Sequence, residues 1–180
     1  CGTTPLDESV TDERRGTLYR LDTDGTTTPV LSGVKESNGL GFSPDRKRMY
    51  FTDTYSLEIY EFDYDVETGE ISNQRLFVRT ADDSSYPDGM TVDAEGHVWS
   101  ARWDGSAVYR YAPSGAEEMR IDIPVKKVSS VSFGGPDYGD MYISTAGGDD
   151  RPREGEGAGA LFRVRGGVRG APENLSRVGL

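Results

Sequence analysis

The chain has 180 residues, 23 glycines and a formal net charge of −11, and hydrophobic residues make up only 34% of it. This length suits one domain, and the composition favours short strands joined by many turns over a helical fold. The negative charge argues against nucleic acid as a partner, and no apolar run approaches the about 18 residues of a membrane-spanning helix.

Cysteine is nearly absent from the chain. Cys1 is the single cysteine, so no internal disulfide can form, and we predict a cytoplasmic protein rather than an exported, disulfide-rich one. The first four residues, Cys1 to Thr4, are typical of the end of a strand. We therefore expect the chain to be the C-terminal portion of a longer protein.

Predicted strands follow in units along the chain. After a polar loop at 5–15, residues 16–22 alternate apolar and polar side chains, as in a half-buried strand. A hairpin turn at 22–25 leads to a return strand at 26–31. The second unit has candidate strands at 38–43, 48–53, 57–63 and 71–78, and the third at 88–93, 97–102, 106–112 and 117–123. The fourth has 128–133, 139–145 and 159–165, interrupted by a Gly/Asp/Arg/Glu-rich insert at 147–158, and the tail from 166 onward is predicted to be irregular.

The first strand of each later unit opens on a similar stretch. Asp88 follows Asn38 by 50 residues, and Ser130 follows Asp88 by 42. A period of this size built from short strands suggests the blades of a β-propeller. The units divide a single domain at about 1–35, 36–86, 87–127 and 128–170. These are roughly three and a half blades, fewer than the four or more of a closed propeller, so we expect open sheet edges.

Several motifs recur in an order that resembles a known family. In chain order they are Gly16-Thr17-Leu18-Tyr19-Arg20-Leu21, Ser37-Asn38-Gly39-Leu40, Ser43-Pro44-Asp45, Tyr50-Phe51-Thr52-Asp53, Phe62-Asp63-Tyr64-Asp65, Pro87-Asp88-Gly89-Met90, Asp93-Ala94-Glu95-Gly96, Val98-Trp99-Ser100-Ala101, Phe133-Gly134-Gly135, Met141-Tyr142 and Gly167-Val168-Arg169-Gly170. Together they closely resemble the regucalcin (senescence marker protein), gluconolactonase and luciferin-regenerating-enzyme family. The match covers nearly the whole chain and is weakest at 5–15 and 147–158.

The resemblance implies an all-β, six-bladed propeller with one divalent cation in its central channel. Members hydrolyse sugar lactones or related esters with the metal as Lewis acid. Two family ligands fall on Asn38 and Asp88, and Asp88 would also be the general base. An acidic substrate-binding residue would be Asp7 or Glu8, and the remaining ligands and a substrate-binding arginine would precede this chain.

The side-chain oxygens of Asn38 and Asp88 are suitable ligands for the divalent cation that the resemblance implies. First strands of propeller blades line the channel, so the two side chains would converge on the axis. Carboxylate and carboxamide oxygens suit Ca²⁺ first, with Mg²⁺ or Mn²⁺ as alternatives, and Zn²⁺ is less natural without His or Cys ligands. A bound cation would polarise a lactone carbonyl, and Asp88 could deprotonate water. The alternative is that both residues merely form turns at strand entrances.

Three further residues are weaker candidates. Ser130 opens the fourth unit and could hydrogen-bond substrate, or could simply start a strand. Trp103 is predicted to lie in a turn, where it could line the channel mouth instead of filling the core. His97 is the single histidine, and no Ser-His-Asp set is available to it.

The sequence therefore predicts a divalent-metal-dependent lactone hydrolase with a small-molecule substrate and no nucleic-acid or membrane partner. One alternative is a non-catalytic propeller that binds calcium or protein, with a structural metal. Another is an incomplete portion that is active only with the missing N-terminal blades.

Overall fold

The computed structural model describes residues 2–3, 14–148 and 151–172. Regular structure in these ranges is almost entirely β, which confirms the predicted fold class. The strands are β1 (Gly16–Leu21), β2 (Thr27–Val34), β3 (Ser37–Phe42), β4 (Arg48–Asp53), β5 (Glu58–Tyr64), β6 (Ile71–Arg79), β7 (Tyr86–Val92), β8 (Val98–Trp103), β9 (Ala107–Tyr111), β10 (Glu117–Asp122), β11 (Val128–Gly134), β12 (Asp140–Thr145) and β13 (Leu161–Val164). A 3-10 turn at Thr54–Ser56 and a short helix, α1 (Arg151–Glu154), complete them.

The strands form four antiparallel sheets in which neighbours in sequence are neighbours in space. The first sheet is β1-β2, the second β3-β4-β5-β6, the third β7-β8-β9-β10 and the fourth β11-β12-β13. Most strand ends differ from the predicted ones by one or two residues, because alternation and turn residues are local signals. β2 is the exception, since it continues to Val34 rather than ending at 31.

The first strands of successive sheets lie side by side, with β3 against β7 and β7 against β11. Gly39 and Gly89, which have no side chain, allow the strands to come this close together. A Cβ atom at Gly39 would lie 2.6 Å from the carbonyl oxygen of Asp88, and one at Gly89 would lie 2.3 Å from the Ser130 Oγ. Any side chain at either position would push the strands apart.

The hydrophobic core is divided among the interfaces between sheets. One cluster joins the first and second sheets through Leu18, Val34, Met49, Phe51 and Phe62. The next joins the second and third sheets around Tyr50, Ile59, Val98 and Tyr111, and the last joins the third and fourth around Trp99, Val131, Phe133 and Ile143. A single blade cannot bury both faces, so each sheet depends on its neighbours.

Isolated bridges and hydrogen bonds hold three described segments outside the sheets. Gly2 forms an antiparallel bridge with Leu18, which places the start of the chain beside β1. The tail is irregular as far as residue 172, and Gly170 forms a bridge with Asp93. The insert that interrupts the fourth unit contains α1, which is held by a 2.8 Å hydrogen bond from the Lys126 amide to the carbonyl of Glu154.

In the described part of the chain, no helix has the length and apolar character needed to cross a membrane.

Candidate functional site

Asn38 and Asp88, 50 residues apart in the chain, meet where the first strands β3 and β7 lie side by side. They line a cavity of about 450 Å³. The Asn38 side chain hydrogen-bonds to the Asp88 carboxylate. The described residues that line the cavity are Glu36, Asn38, Thr54, Tyr55, Tyr86, Asp88 and Trp103.

Four of the seven lining residues were not identified from the sequence: Glu36, Thr54, Tyr55 and Tyr86. Glu36 precedes Asn38 by two residues, and Tyr86 precedes Asp88 by two. Side chains two apart along a strand share a face, so this periodicity could have identified Tyr86 in β7. Glu36 lies in the bend before β3, which strand alternation does not describe. Each ligand candidate therefore brings a second side chain to the cavity.

The 3-10 turn fixes the entrance of β7 beside this cavity. The buried Thr54 Oγ1 donates a 2.9 Å hydrogen bond to the carbonyl of Pro87, the residue before Asp88. The Tyr55 and Tyr86 rings meet edge to face, with 5.6 Å between their centroids. These contacts connect the second and third sheets and restrict the position of the Asp88 backbone.

Burial gives Asp88 unusual acid–base behaviour. Loss of solvation raises its pKa from 3.8 to about 6, and the negative charge of Glu36 acts in the same direction. The Asn38 hydrogen bond opposes the shift, because it favours the ionised form. A carboxyl group that titrates this close to neutrality can accept a proton from water, and its ionised form would be stabilised by a cation.

Trp103 lies on the wall of the same cavity, but it is the last residue of β8 rather than part of a turn. The Lys127 Nζ lies 5.5 Å from its ring centroid and 2.6 Å from the Glu154 Oε1. The insert is thus connected through one lysine to a wall of the cavity.

The structure does not place every predicted site residue in this cavity. Ser130 lines a second space of about 710 Å³ along the same first strands, beside Met90 and Val131. Asp7 and Glu8 lie outside the described residues. The substrate-binding roles of all three stay predictions.

A separate polar cluster surrounds His97 at the opposite end of β7 from Asp88. Asp93, Glu95 and His97 each offer one potential metal-ligand atom, and these atoms lie within 4.8 Å of one another. The Arg110 Nη2 lies 2.9 Å from the Asp93 Oδ2 and 2.7 Å from the Glu95 Oε2. A guanidinium cation therefore already contacts both carboxylates.

Asp93 itself is fully buried, and several N–H groups donate hydrogen bonds to its carboxylate. Its Oδ1 accepts hydrogen bonds from the amides of Glu95 and His97, and its Oδ2 accepts a 2.9 Å bond from the Trp99 indole nitrogen. We interpret this cluster as a scaffold for the β7–β8 turn, because a buried carboxylate needs such partners.

Comparisons with known proteins agree with this architecture. A family model described as "SMP-30/Gluconolactonase/LRE-like region" matches residues 1–147. A pentonolactonase of Haloferax volcanii is 48% identical over 187 aligned residues, which cover 100% of this chain and 62% of that protein. Regucalcin of Gallus gallus is 39% identical, over 91% of this chain and 56% of the relative.

A solved structure agrees in fold over nearly the whole chain. It is described as a calcium-binding protein, regucalcin, of Agrobacterium tumefaciens, and it matches with a TM-score of 0.87 and 29% identity over 97% of this chain and 59% of that one. The chain thus spans about three fifths of the length of these relatives. The family match, the identities above 30% and the shared sheet arrangement lead to one conclusion: this chain belongs to the SMP-30/gluconolactonase/LRE-like family and has the family's propeller-type fold.

Proposed function

We propose that this protein is a divalent-metal-dependent hydrolase of a sugar lactone or a related ester, and that the Asn38–Asp88 cavity is part of its active site. The observation that carries the proposal is the Asp88 carboxylate, which is largely buried, hydrogen-bonded by Asn38 and shifted in pKa to about 6. The family match and the lactonase named among the relatives support the reaction class.

The donor set fits a hard cation. Asp88 would supply a carboxylate oxygen and Asn38 a carboxamide oxygen, which are ligands that Ca²⁺ prefers. The nearby negative charge of Glu36 also favours a cation. We propose Ca²⁺ as the resident metal, with Zn²⁺, Mn²⁺ and Mg²⁺ as alternatives, and we infer that water, substrate and residues outside this chain complete the coordination.

A cation held by Asn38 and Asp88 would supply Lewis acidity toward the lactone carbonyl. Asp88 takes a proton from the attacking water, whose oxygen adds to the carbonyl carbon. The ring C–O bond then breaks, and the proton held by Asp88 passes to the departing ring oxygen. Asn38 orients the Asp88 carboxylate through its hydrogen bond. Trp103 and Tyr86 provide aromatic walls against which a sugar ring can pack.

The proposed partner is therefore a small lactone, and nucleic acid is an unsuitable one for a chain with a net charge of −11. The single cysteine agrees with a reducing compartment, for which we propose the cytoplasm. We further propose that full activity requires the remaining blades, since the relatives are longer than this chain.

A second candidate function is calcium binding without catalysis. The solved relative described as a calcium-binding protein favours it. The same Asn38 and Asp88 oxygens would then hold a structural metal. The two candidates differ in whether metal-dependent turnover occurs.

The deciding experiment measures hydrolysis of a panel of pentono- and hexonolactones after metal removal with EDTA and re-addition of Ca²⁺, Mn²⁺, Zn²⁺ or Mg²⁺. We expect turnover to be lost with EDTA, restored by a cation, and reduced at least about a hundredfold in Asp88→Asn. Asp45→Asn is the matched control, since Asp45 lies in the exposed turn before β4. Metal binding without turnover would support the calcium-binding alternative, and full activity in EDTA would refute the metal mechanism.

A further inference from the structure

Arg102 on β8 is a buried cation with few partners. The residue is only 4% exposed, and its Nη2 donates one hydrogen bond, of 2.8 Å, to the hydroxyl of Tyr111. Its Nε and Nη1 are buried and have no hydrogen-bond partner among the residues that the structure describes. Within the described residues, no ion pair joins Arg102 to a carboxylate. A buried guanidinium with vacant donors is unfavourable unless an anion or another acceptor reaches it.

A cleft of about 230 Å³ lies against this side chain, between the second and third sheets. It is separate from the Asp88 cavity. The next residue, Trp103, lines that cavity, and successive side chains of a strand point to opposite faces. The cleft thus lies beside a cation that has no carboxylate partner among the described residues. The proposed reaction uses neither the cleft nor Arg102.

The lining of the cleft suits a particular ligand chemistry. A guanidinium binds a carboxylate through paired hydrogen bonds, and the Arg102 side chain is stacked 4.8 Å above the ring centroid of Tyr109. Asp83 and Glu117 also line the cleft, as does Arg79, whose Nη2 is already paired with the Glu58 carboxylate. The pKa of Asp83 is held below its usual range, mainly by the hydrogen bond from the Ser85 hydroxyl. Asp83 is therefore ionised and can only accept hydrogen bonds.

This combination selects against fully charged inorganic anions. A phosphate or sulfate would meet the two carboxylates as well as the guanidinium. A molecule with one carboxylate and several hydroxyl groups would place its charge on Arg102 and donate its hydroxyls to Asp83 and Glu117. We propose that the cleft binds a small hydroxylated carboxylate of the aldonate class, with its carboxylate on Arg102.

Aldonates are also the products of sugar-lactone hydrolysis. Identification of the ligand as this protein's own product rests on the proposed function, whereas binding in the Arg102 cleft does not. A product bound outside the active site would make the protein's stability, or its turnover, respond to product concentration.

The test compares thermal unfolding in EDTA with millimolar sodium gluconate, sodium acetate, sodium chloride or sorbitol. Gluconate has both the carboxylate and the hydroxyls, acetate only the former and sorbitol only the latter. We expect gluconate at saturation to raise the unfolding midpoint by about 3 °C or more, and the other solutes to have less than half that effect at matched ionic strength. Equal stabilisation by chloride would mean an unselective anion site and would overturn the proposal.

Variants assign the effect to the cleft. Arg102→Met keeps a long side chain beside Tyr109 and should abolish the gluconate shift, while Glu117→Gln should weaken it without changing the response to acetate. If Arg102→Met does not fold, Arg102→Lys should still reduce the shift at least twofold, because an ammonium cannot bind the carboxylate in the paired geometry. An undiminished gluconate shift in the Arg102 variants would overturn the proposal.

Asp88→Asn distinguishes the two sites. A gluconate shift that disappears in Asp88→Asn but persists in Arg102→Met would place the ligand in the central cavity and overturn the proposal for the cleft. Loss of lactone turnover under every metal condition would refute the proposed function, and the gluconate measurements in EDTA would still decide whether the cleft binds.

Discussion

Replacement of Asp88 by asparagine should make the metal-free protein more stable at neutral pH. The pKa of Asp88 is raised from 3.8 to about 6 by burial, and each pKa unit corresponds to about 1.4 kcal/mol. The ionised carboxylate therefore destabilises the fold by about 2–3 kcal/mol above pH 6. Asparagine has nearly the same shape and carries no charge, so it should recover most of that free energy.

The pH dependence has a definite sign. Because the folded-state pKa of Asp88 exceeds the unfolded value, the folded protein binds more protons between about pH 4 and pH 6. The contribution to stability is fully present below about pH 4 and is lost as the pH rises through 6. The free-energy difference between Asp88→Asn and wild type should therefore be near zero at pH 4 and reach 2–3 kcal/mol at pH 8.

Urea unfolding in EDTA at pH 4, 6 and 8 measures this difference, and repetition with Ca²⁺ measures the metal response. Added Ca²⁺ should stabilise the wild type and leave Asp88→Asn nearly unchanged. Asp45→Asn is a control for which we expect the opposite change in stability at pH 8. The pKa of Asp45 is lowered, mainly by the hydrogen bond from Ser43, so its ionised form stabilises the fold and its replacement should destabilise it. An Asp88→Asn protein that is less stable than wild type at pH 8 without metal would refute the reasoning.

Two other changes test packing and buried charge. Gly39→Ala should lower the free energy of unfolding by about 1–3 kcal/mol, since its Cβ would lie 2.6 Å from a β7 carbonyl; Gly166→Ala, which meets nothing within 4 Å, should be nearly neutral in the same urea titration. Arg110→Leu should cost about 3–5 kcal/mol, because it leaves the fully buried Asp93 without its cation. Arg165→Leu, at a residue whose side chain is 60% exposed, should cost under about 1 kcal/mol. Similar losses in the two arginine variants would contradict the assigned role of the Arg110 contact.

The site was only partly predictable from the sequence. Asn38 and Asp88 could be singled out because each opens a repeat, and repeats of a propeller present equivalent positions to the axis. Glu36 and Tyr86 were missed, although each lies two residues before a candidate ligand. Trp103 was placed in a turn because its neighbours Asp104 and Gly105 are turn residues, yet β8 extends to include it.

Arg102 shows the limit of local patterns more sharply. Nothing in Ala101-Arg102-Trp103 distinguishes a buried arginine from an exposed one, since alternation along a strand does not say what covers each face. Its burial is decided by tertiary packing around β8: Tyr109 and Tyr111 of the adjacent strand β9 lie against it, and residues of β6 in the second sheet line the cleft beside it.

The sequence by itself determined the strands, the turns and their repeat, because side-chain alternation and turn preferences act over a few neighbouring residues. The repeat also predicted that Asn38 and Asp88 would converge, but only the tertiary structure decided that they share a hydrogen bond, that desolvation raises the pKa of Asp88, and that Arg110 neutralises Asp93. The physical reason is that desolvation and charge pairing depend on which sheets lie against each other, and here glycine 39 in β3 and glycine 89 in β7 allow the first strands to approach closely enough.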